Sequence, residues 1–300
     1  YFQNYWALVA GGICNTLVYC VGSYFVSSYR PKLNFAIAKG QLSFSTKIMA
    51  RGVLGYTRNK LDIFLVGKLF DNSAVGKYNI GQEFAILPLT EVITPASTAM
   101  FPALAQYRND KLALFDKTYK YFALVYGFVM PCIIGMWFVA PQFCTVILGP
   151  KWSDTAAIMS ALAMLMLPFP LTAITNNLFD YLDKTQFSLF SDCIGIVLLL
   201  SAFQLLSFSD VADFAWVRSI IAIVAFVAIL LFASATIGLS FFKMTSVVCV
   251  PLMASLFMWF CLTYGYHSIE ISLIGLLINV VIGGLSYGAA LIVVLPIMAK

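Results

Sequence analysis

The sequence predicts an all-α fold, a polytopic transmembrane helical bundle of about nine spanning helices, on three observations. Hydrophobic residue types make up 61% of the chain and charged types only 10%, with a mean hydropathy of +0.91. A water-soluble globular chain carries roughly 25% charged residues, so there is too little polar side chain here to cover a surface in water. The apolar residues also fall in unbroken runs of helix-spanning length, too continuous for the alternating strands, roughly 10 residues each, of an outer-membrane barrel. The same composition excludes disorder, which needs low hydrophobicity and high charge. A net charge of +5, scattered along the chain, offers no basic patch for nucleic acid.

The first span, 5–26, contains no charge. The chain enters it almost at once from Tyr1, with no Met, basic region or cleavage site, and reads as truncated at its N-terminus. Residues 27–46 form the longest connection, broken at Pro31 and Gly40. The second span, 47–70, carries Arg51, Arg58, Lys60 and Asp62. The third, 81–104, has Pro88, Pro95 and Pro102 on one face, each removing a backbone hydrogen bond and inviting a kink. Residues 107–120 place Leu112, Leu114 and Phe115 among Lys and Asp, a pattern that suits either a short amphipathic helix on the membrane surface or a solvated loop. A fourth span follows at 119–140. The fifth, 155–179, ends in a polar cluster after Pro168 and Pro170: Thr172, Thr175, Asn176, Asn177 and Asp180. The last four spans, 187–207, 214–240, 246–264 and 271–296, are far less polar. Gly284 and Gly288 form a GxxxG in the final one, a weak signal for close helix contact.

Lys and Arg set the orientation. One alternate set of connections holds Arg30, Lys32, Lys39, Arg108, Lys111, Lys117, Lys120, Lys184, Lys243 and Lys300. The other holds only Lys77 and Lys151, with Lys68 and Arg218 near helix ends. The first set is therefore expected to be cytoplasmic, with Tyr1 outside. Trp6, Trp137, Trp152 and Trp259 fall near span ends, as interface aromatics do. The seven cysteines have no CxxC spacing and read as small hydrophobes, with only Cys144 near an aqueous face. With His267 as the single histidine, no metal site is expected.

The second span is the informative one. Three charges near its middle, Arg58, Lys60 and Asp62, cost about +7 to +10 kcal/mol on an insertion scale, and its Leu, Ile, Val and Phe recover only about −3 to −6. The helix must enter the membrane with partners and keep those charges in protein or in a watery cavity. Arg51, Arg58 and Asp62, seven and four residues apart, share a face. They read either as a cationic strip lining a cavity for an anionic substrate or as an internal Arg58–Asp62 ion pair that fixes packing. In the third span Glu83, Thr90, Glu91, Thr94 and Thr98 recur at helical intervals as a second polar face. The expected substrate-binding set is Arg51, Arg58, Asn59, Lys60, Asp62, Glu83, Glu91, Asn176 and Asn177. No phosphate loop or HExxH occurs, so transport is expected and catalysis is not.

The stretches YWALVAGGI (5–13), SYRPKLNF (28–35), RNKLDIFLVGKLFDNSAVGKYNIGQEFAILPL (58–89), FPALAQ (101–106) and ILGPKW (147–152) resemble the polysaccharide-transporter branch of the multidrug/oligosaccharidyl-lipid/polysaccharide exporter superfamily, nearest the colanic-acid type. The resemblance implies a flippase that moves undecaprenyl-diphosphate-linked oligosaccharide repeat units across the bacterial inner membrane for surface polysaccharide. It implies two lobes of helices around a central cavity, with alternating access between them. Basic cavity residues, here Arg58 and Arg51, would hold the diphosphate, and Asp62, Glu83 or Glu91 would balance charge or bind a coupling H+ or Na+. No other cofactor is implied. The partners it implies are the lipid-linked oligosaccharide, membrane lipids, and the polymerase and glycosyltransferases of the pathway.

Mapped on this chain, 1–26 is the last helix of the first lobe, 27–46 the cytoplasmic lobe linker, 47–240 the second lobe and 241–300 an extra helix pair. Two alternatives stay open. One is a drug or peptidoglycan-precursor exporter of the same superfamily. The other is a non-transporting membrane protein, or an enzyme, of the glycan pathway that uses His267 beside Glu270.

Overall fold

The computed structural model describes residues 6–27, 35–107, 110–181, 186–265 and 271–298. Among them the only regular elements are helices: α1 (Trp6–Val26), α2 (Phe35–Leu69), α3 (Asn72–Ala85), α4 (Thr94–Ala105), α5 (Lys111–Phe143), α6 (Thr155–Leu162), α7 (Pro168–Tyr181), α8 (Gln186–Leu205), α9 (Val211–Ile237), α10 (Phe241–Gly265) and α11 (Leu273–Met298). The chain divides into two compact units, 1–50 and 51–300, with the division falling inside α2. In the first unit α1 carries no charged side chain.

Every expected span has a helix in its place. Among the described residues six helical segments are long and apolar enough to cross a membrane, and a seventh counts if α3 and the Leu89–Leu104 segment, bent by 47°, form one span. The bend falls where Pro88 was expected to kink the helix, and a π-helical turn at Leu89–Ile93 follows it. α2 fails the same test because of its charges, as the insertion arithmetic requires. Of α8, only Cys193–Leu205 is an apolar described stretch.

Several boundaries differ from the expected ones. α2 begins at Phe35 and passes through Gly40 unbroken, so much of the expected 27–46 connection is helix. The 107–120 segment is neither a separate surface helix nor a loop, because α5 starts within it. The Asp110 carboxylate accepts from the N–H groups of Leu112 and Ala113 and so caps α5 at its first turn. Leu114 and Thr118 are then buried, and the helix continues to Phe143. Asp71 caps α3 through Ala74 N, and Asp210 caps α9 through Val211 N. Gly238 ends α9 in the left-handed region (φ 90°), where a Cβ would be strained.

Helix packing in the second unit rests on three contiguous cores, two of them large. One surrounds α5, where Phe122, Val125, Tyr126, Val129 and Ile133 meet Leu171, Ile174 and Leu178 of α7 and Phe226 of α9. The other joins Leu65 and Val66 of α2, Tyr78 of α3, Ile158 to Leu162 of α6 and Phe214 of α9. Gly81 lets α3 lie close on α6: a Cβ there would sit 3.1 Å from Ile158 Cγ2 and 3.2 Å from Thr155 Cγ2. Cys144, expected near water, is fully buried with its Sγ 3.9 Å from Met159 Sδ, because a π-helical turn after α5 carries it inward.

α10 and α11 pack on each other and on α5. Trp137 and Trp259 stack with ring centroids 6.4 Å apart. Asn279 Nδ2 donates to Gln142 Oε1 at 2.9 Å, and Tyr287 Oη donates to Gly127 O at 2.6 Å. The expected Gly284–Gly288 pair faces open space; Gly283 is the glycine that meets Met258 and Leu262 of α10.

Gln142 Nε2 is buried with no partner among the described residues, so the Asn279 bond is the one contact that satisfies its amide. Replacing Asn279 by Leu strands that amide in an apolar interface and is expected to lower unfolding stability by about 1–3 kcal/mol. The Gln142→Leu/Asn279→Leu double variant should be the more stable of the two, measured by thermal melting of the purified protein in detergent.

Candidate functional site

α2 carries the charges, and its neighbours decide what each one meets. Asp62 is fully buried and faces α3 and α9. Its Oδ2 accepts from Arg218 Nε at 3.3 Å, Gln82 Nε2 at 3.0 Å and Tyr78 Oη at 3.3 Å. Its Oδ1 accepts from the Ile63 N–H at 2.9 Å. The expected alternative of an Arg58–Asp62 ion pair is therefore replaced by an Arg218–Asp62 pair, although Arg58 and Asp62 do lie one helical turn apart. The geometry requires it. Asp62 lies about 10 Å from the Leu69 end of α2, and Arg218 lies about 10 Å from the Val211 end of α9. Those two ends border the same hollow, so the two charges sit at equal depth.

Arg218 is the residue that the sequence reading missed. The sequence reading places it near a helix end, yet it sits within the apolar run of α9, its side chain 14% exposed. A lone cation in such a run needs a carboxylate at the same depth, and that requirement was the available signal.

Arg58 turns towards α8. A Cβ on Gly195 would lie 3.3 Å from Arg58 Cδ, so the glycine makes room for the arginine stem. Arg58 Nη2 reaches Asn59 Oδ1 at 3.5 Å. Asn59 and Lys60 are exposed, as are Glu83 and Glu91 on the bent α3 segment. The hydroxyls of Thr90, Thr94 and Thr98 bond to backbone carbonyls of their own segment, so the expected threonine face satisfies itself. Asn176 is half-buried on α7. The side chains of Arg51, Asn177 and Asp180, and residue His267, lie outside the described residues.

Two hollows flank this arrangement. A polar one of about 430 Å³ lies where α2, α6 and α9 meet the start of α3, lined by Asp71, Lys77, Asp154 and Asp210. Lys77 and Asp154 pair there at 2.7 Å, and the lysine hydrogen bond holds the Asp154 carboxyl below its usual range. The second is a crevice of about 180 Å³ among α7, α8 and α9, walled mainly by apolar side chains. Neither hollow is lined by Asp62. Among the described residues no group of three or more His, Cys, Asp or Glu is placed to hold a metal ion.

The sequence profile of the polysaccharide biosynthesis protein family matches residues 1–157. The chain is 23% identical over 169 residues to the lipopolysaccharide biosynthesis protein WzxC of Escherichia coli K12, which covers 54% of this chain and 34% of the relative. It is 25% identical over 171 residues to the teichuronic acid biosynthesis protein TuaB of Bacillus subtilis 168, covering 55% and 35%. It is 22% identical over 161 residues to the succinoglycan biosynthesis transport protein ExoT of Rhizobium meliloti 1021, covering 53% and 33%. The matched segment thus spans about a third of each relative. In fold, the chain is similar to the lipid II flippase MurJ in its inward closed conformation, with TM-score 0.67, 15% identity, and coverage of 91% of this chain and 58% of that one.

The Asp62–Arg218 pair yields a direct test. Arg218→Met leaves a buried carboxylate unneutralised and is expected to cost about 3–5 kcal/mol of stability. Asp62→Leu/Arg218→Met, which removes both charges, should recover most of that loss, read by thermal melting in detergent.

Proposed function

The chain belongs to the polysaccharide biosynthesis protein family, and from that membership we propose that it serves as a membrane flippase for polysaccharide precursors. The proposed substrate is an oligosaccharide repeat unit linked to undecaprenyl diphosphate. It is moved across the bacterial inner membrane by alternating access, with the Tyr1 end outside and the Lys300 end cytoplasmic. The names of the relatives, which speak of lipopolysaccharide, teichuronic acid and succinoglycan biosynthesis, support a glycan pathway. The flippase fold of the solved neighbour supports the transport role over an enzymatic one.

One observation carries the reading. Arg218 already neutralises Asp62, so that carboxylate does not cancel the charge of Arg58 or Lys60. α2 thus holds a second cation at depth: Arg58 lies about 16 Å from the Leu69 end, roughly halfway through a hydrocarbon core of about 30 Å. Intramembrane cations of this kind mark substrate paths. A diphosphate fits Arg58, whose planar guanidinium offers paired N–H donors to two phosphate oxygens. The bend between α3 and α4 at Pro88 supplies a place where parts of the bundle can rock.

A gradient of H+ or Na+ is the proposed driving force. A cation at Asp62 would have to displace a guanidinium, so exposed Glu83 and Glu91 are the better carriers. The proposed partners are the membrane lipids, the polymerase that receives the repeat unit and the glycosyltransferases that build it.

In cells that depend on this protein for surface polysaccharide, Arg58→Ala should reduce export at least about tenfold, a loss of roughly 1.4 kcal/mol or more, with the amount of protein in the membrane unchanged. Arg58→Lys, which keeps the charge but loses the fork, should be intermediate. Export at the wild-type level in Arg58→Ala would remove this residue from the mechanism.

A further inference from the structure

α5 is longer than a membrane is thick. Its 33 residues rise about 50 Å, against a hydrocarbon core of about 30 Å. Charge marks the part that suits the core: residues 121–140 carry none, and at about 1.5 Å each they span about 30 Å. Lys120 therefore stands at the core edge and Lys117 about 4.5 Å beyond it, inside a headgroup layer of about 5 to 7 Å.

α10 begins at the same level. Lys243 is its third residue, and residues 244–265 carry no charge. The two helix starts are tied together: Tyr119 Oη accepts from the Ser240 N–H at 2.6 Å, and Lys243 Nζ lies 5.8 Å from the centre of the Tyr119 ring. On the other flank Lys117 Nζ lies 5.7 Å from the centre of the Tyr107 ring. Lys117, Lys120 and Lys243 all act electrostatically on one carboxylate, Asp116, so three cations gather about a single anion.

The remaining sides of these helices decide what the cluster can meet. Leu114, Thr118 and Tyr121 turn into the core of the bundle. Helical spacing puts Asp116 and Lys120 on the opposite side, with Leu124 one turn further in and 70% exposed. Phe242, beside Lys243, is 84% exposed. A cationic rim thus stands over bare apolar side chains. The Lys120–Asp116 bond at 2.7 Å joins two exposed side chains, a kind of pair that contributes little in water and yields to a stronger partner. The two tyrosine contacts use the ring face and leave ammonium N–H groups for another acceptor.

We propose that this rim is a docking surface for the phosphate of an anionic membrane phospholipid, whose acyl chains lie along Leu124 and Phe242. Charge complementarity selects an anionic headgroup such as phosphatidylglycerol over a zwitterionic one. Depth selects a resident lipid, because such a lipid keeps its phosphate at the level of these three lysines. Lysine heads on flexible stems act as mobile point charges and suit a mobile headgroup. Once occupied, the surface holds α5 and the turn between α9 and α10 at one depth in the leaflet that is cytoplasmic in the orientation proposed above. It involves no residue of α2 and does not depend on the flippase reading.

The test uses the full chain in nanodiscs of equal parts phosphatidylcholine and phosphatidylglycerol, with one or the other lipid carrying a diazirine near its glycerol backbone. Phosphatidylglycerol is expected to label peptides within 111–124 and 240–246 well above phosphatidylcholine. Lys117→Gln/Lys120→Gln/Lys243→Gln should weaken that preference by about fivefold for each lysine removed. The corresponding triple Arg variant keeps the charge and should keep the preference, with both variants melting like the wild type in detergent. Lys111→Gln, about 14 Å beyond the core edge on the same helix, should leave it unchanged.

Equal labelling by the two lipids, or a preference that survives in the triple Gln variant, would overturn the proposal. So would an equal loss in Lys111→Gln, which would reduce the effect to overall charge. Displacement of the label by excess polyprenyl diphosphate would assign the lysines to the carried ligand and overturn the phospholipid docking, while supporting the flippase reading. Wild-type export in Arg58→Ala would count against that reading's mechanism and leave this surface untouched.

Discussion

The fold of the second unit depends on how a few charges are housed in a chain with almost no charge to spare. A charge at the centre of a spanning helix costs about 2.5 to 3.5 kcal/mol on an insertion scale. Arg58, Lys60, Asp62 and Arg218 together set α2 and α9 against lipid before any packing is counted. The Asp62–Arg218 pair removes two of those charges at once and adds donors from Tyr78 and Gln82 of α3. Three helices are thereby tied at one depth. A hydrophobic replacement of similar volume can hold as well in energy terms, but it would not dictate which helices meet or at what register. The pair does dictate it, since a slip of one residue in either helix would strand both charges.

Away from that pair, association has to come from close fit, because lipid tails are as apolar as the side chains they compete with. Gly81 brings α3 onto α6, and Gly283 brings α11 onto α10. The Asn279–Gln142 and Tyr287–Gly127 bonds then fasten α11 to α5. Each is a polar contact whose alternative in hydrocarbon is an unsatisfied group. The α10–α11 hairpin is therefore held as a fixed part of the unit, whereas the bent α3–α4 segment, with self-satisfied threonines and exposed carboxylates, is its less constrained edge.

The sequence made the class, the helix positions and the importance of α2 legible, because each follows from local counts: apolar run length, charge per window, proline spacing. It made the depth of Asp62 legible but not its partner. Arg218 is 156 residues away, and periodicity within α2 points to Arg58, which shares its face. Contact across a bundle is a tertiary fact that helical spacing does not contain. The helix starts were misjudged for a different reason. Gly40 was read as a breaker and 107–120 as a separate segment, yet α2 runs through the first and Asp110 caps α5 inside the second. A cap outweighs composition at a helix end, and a single glycine costs only about 1 kcal/mol in a helix interior.

The same pair bears on how work would be done by such a bundle. A carboxylate that already receives a guanidinium and two neutral donors on one oxygen cannot change occupancy without breaking the contact that orients α2, α3 and α9. A site that must load and unload on every cycle is poorly built that way. Function is better placed where a cation is not locked to Asp62 and space exists. On α2 that is the side bearing Arg58, where a glycine on α8 makes room for the arginine stem and an apolar crevice opens behind the glycine. Rigid pairing at Asp62 and open space beside Arg58 thus lie one turn apart on α2, so the contact that fixes the helix is separate from the space next to it.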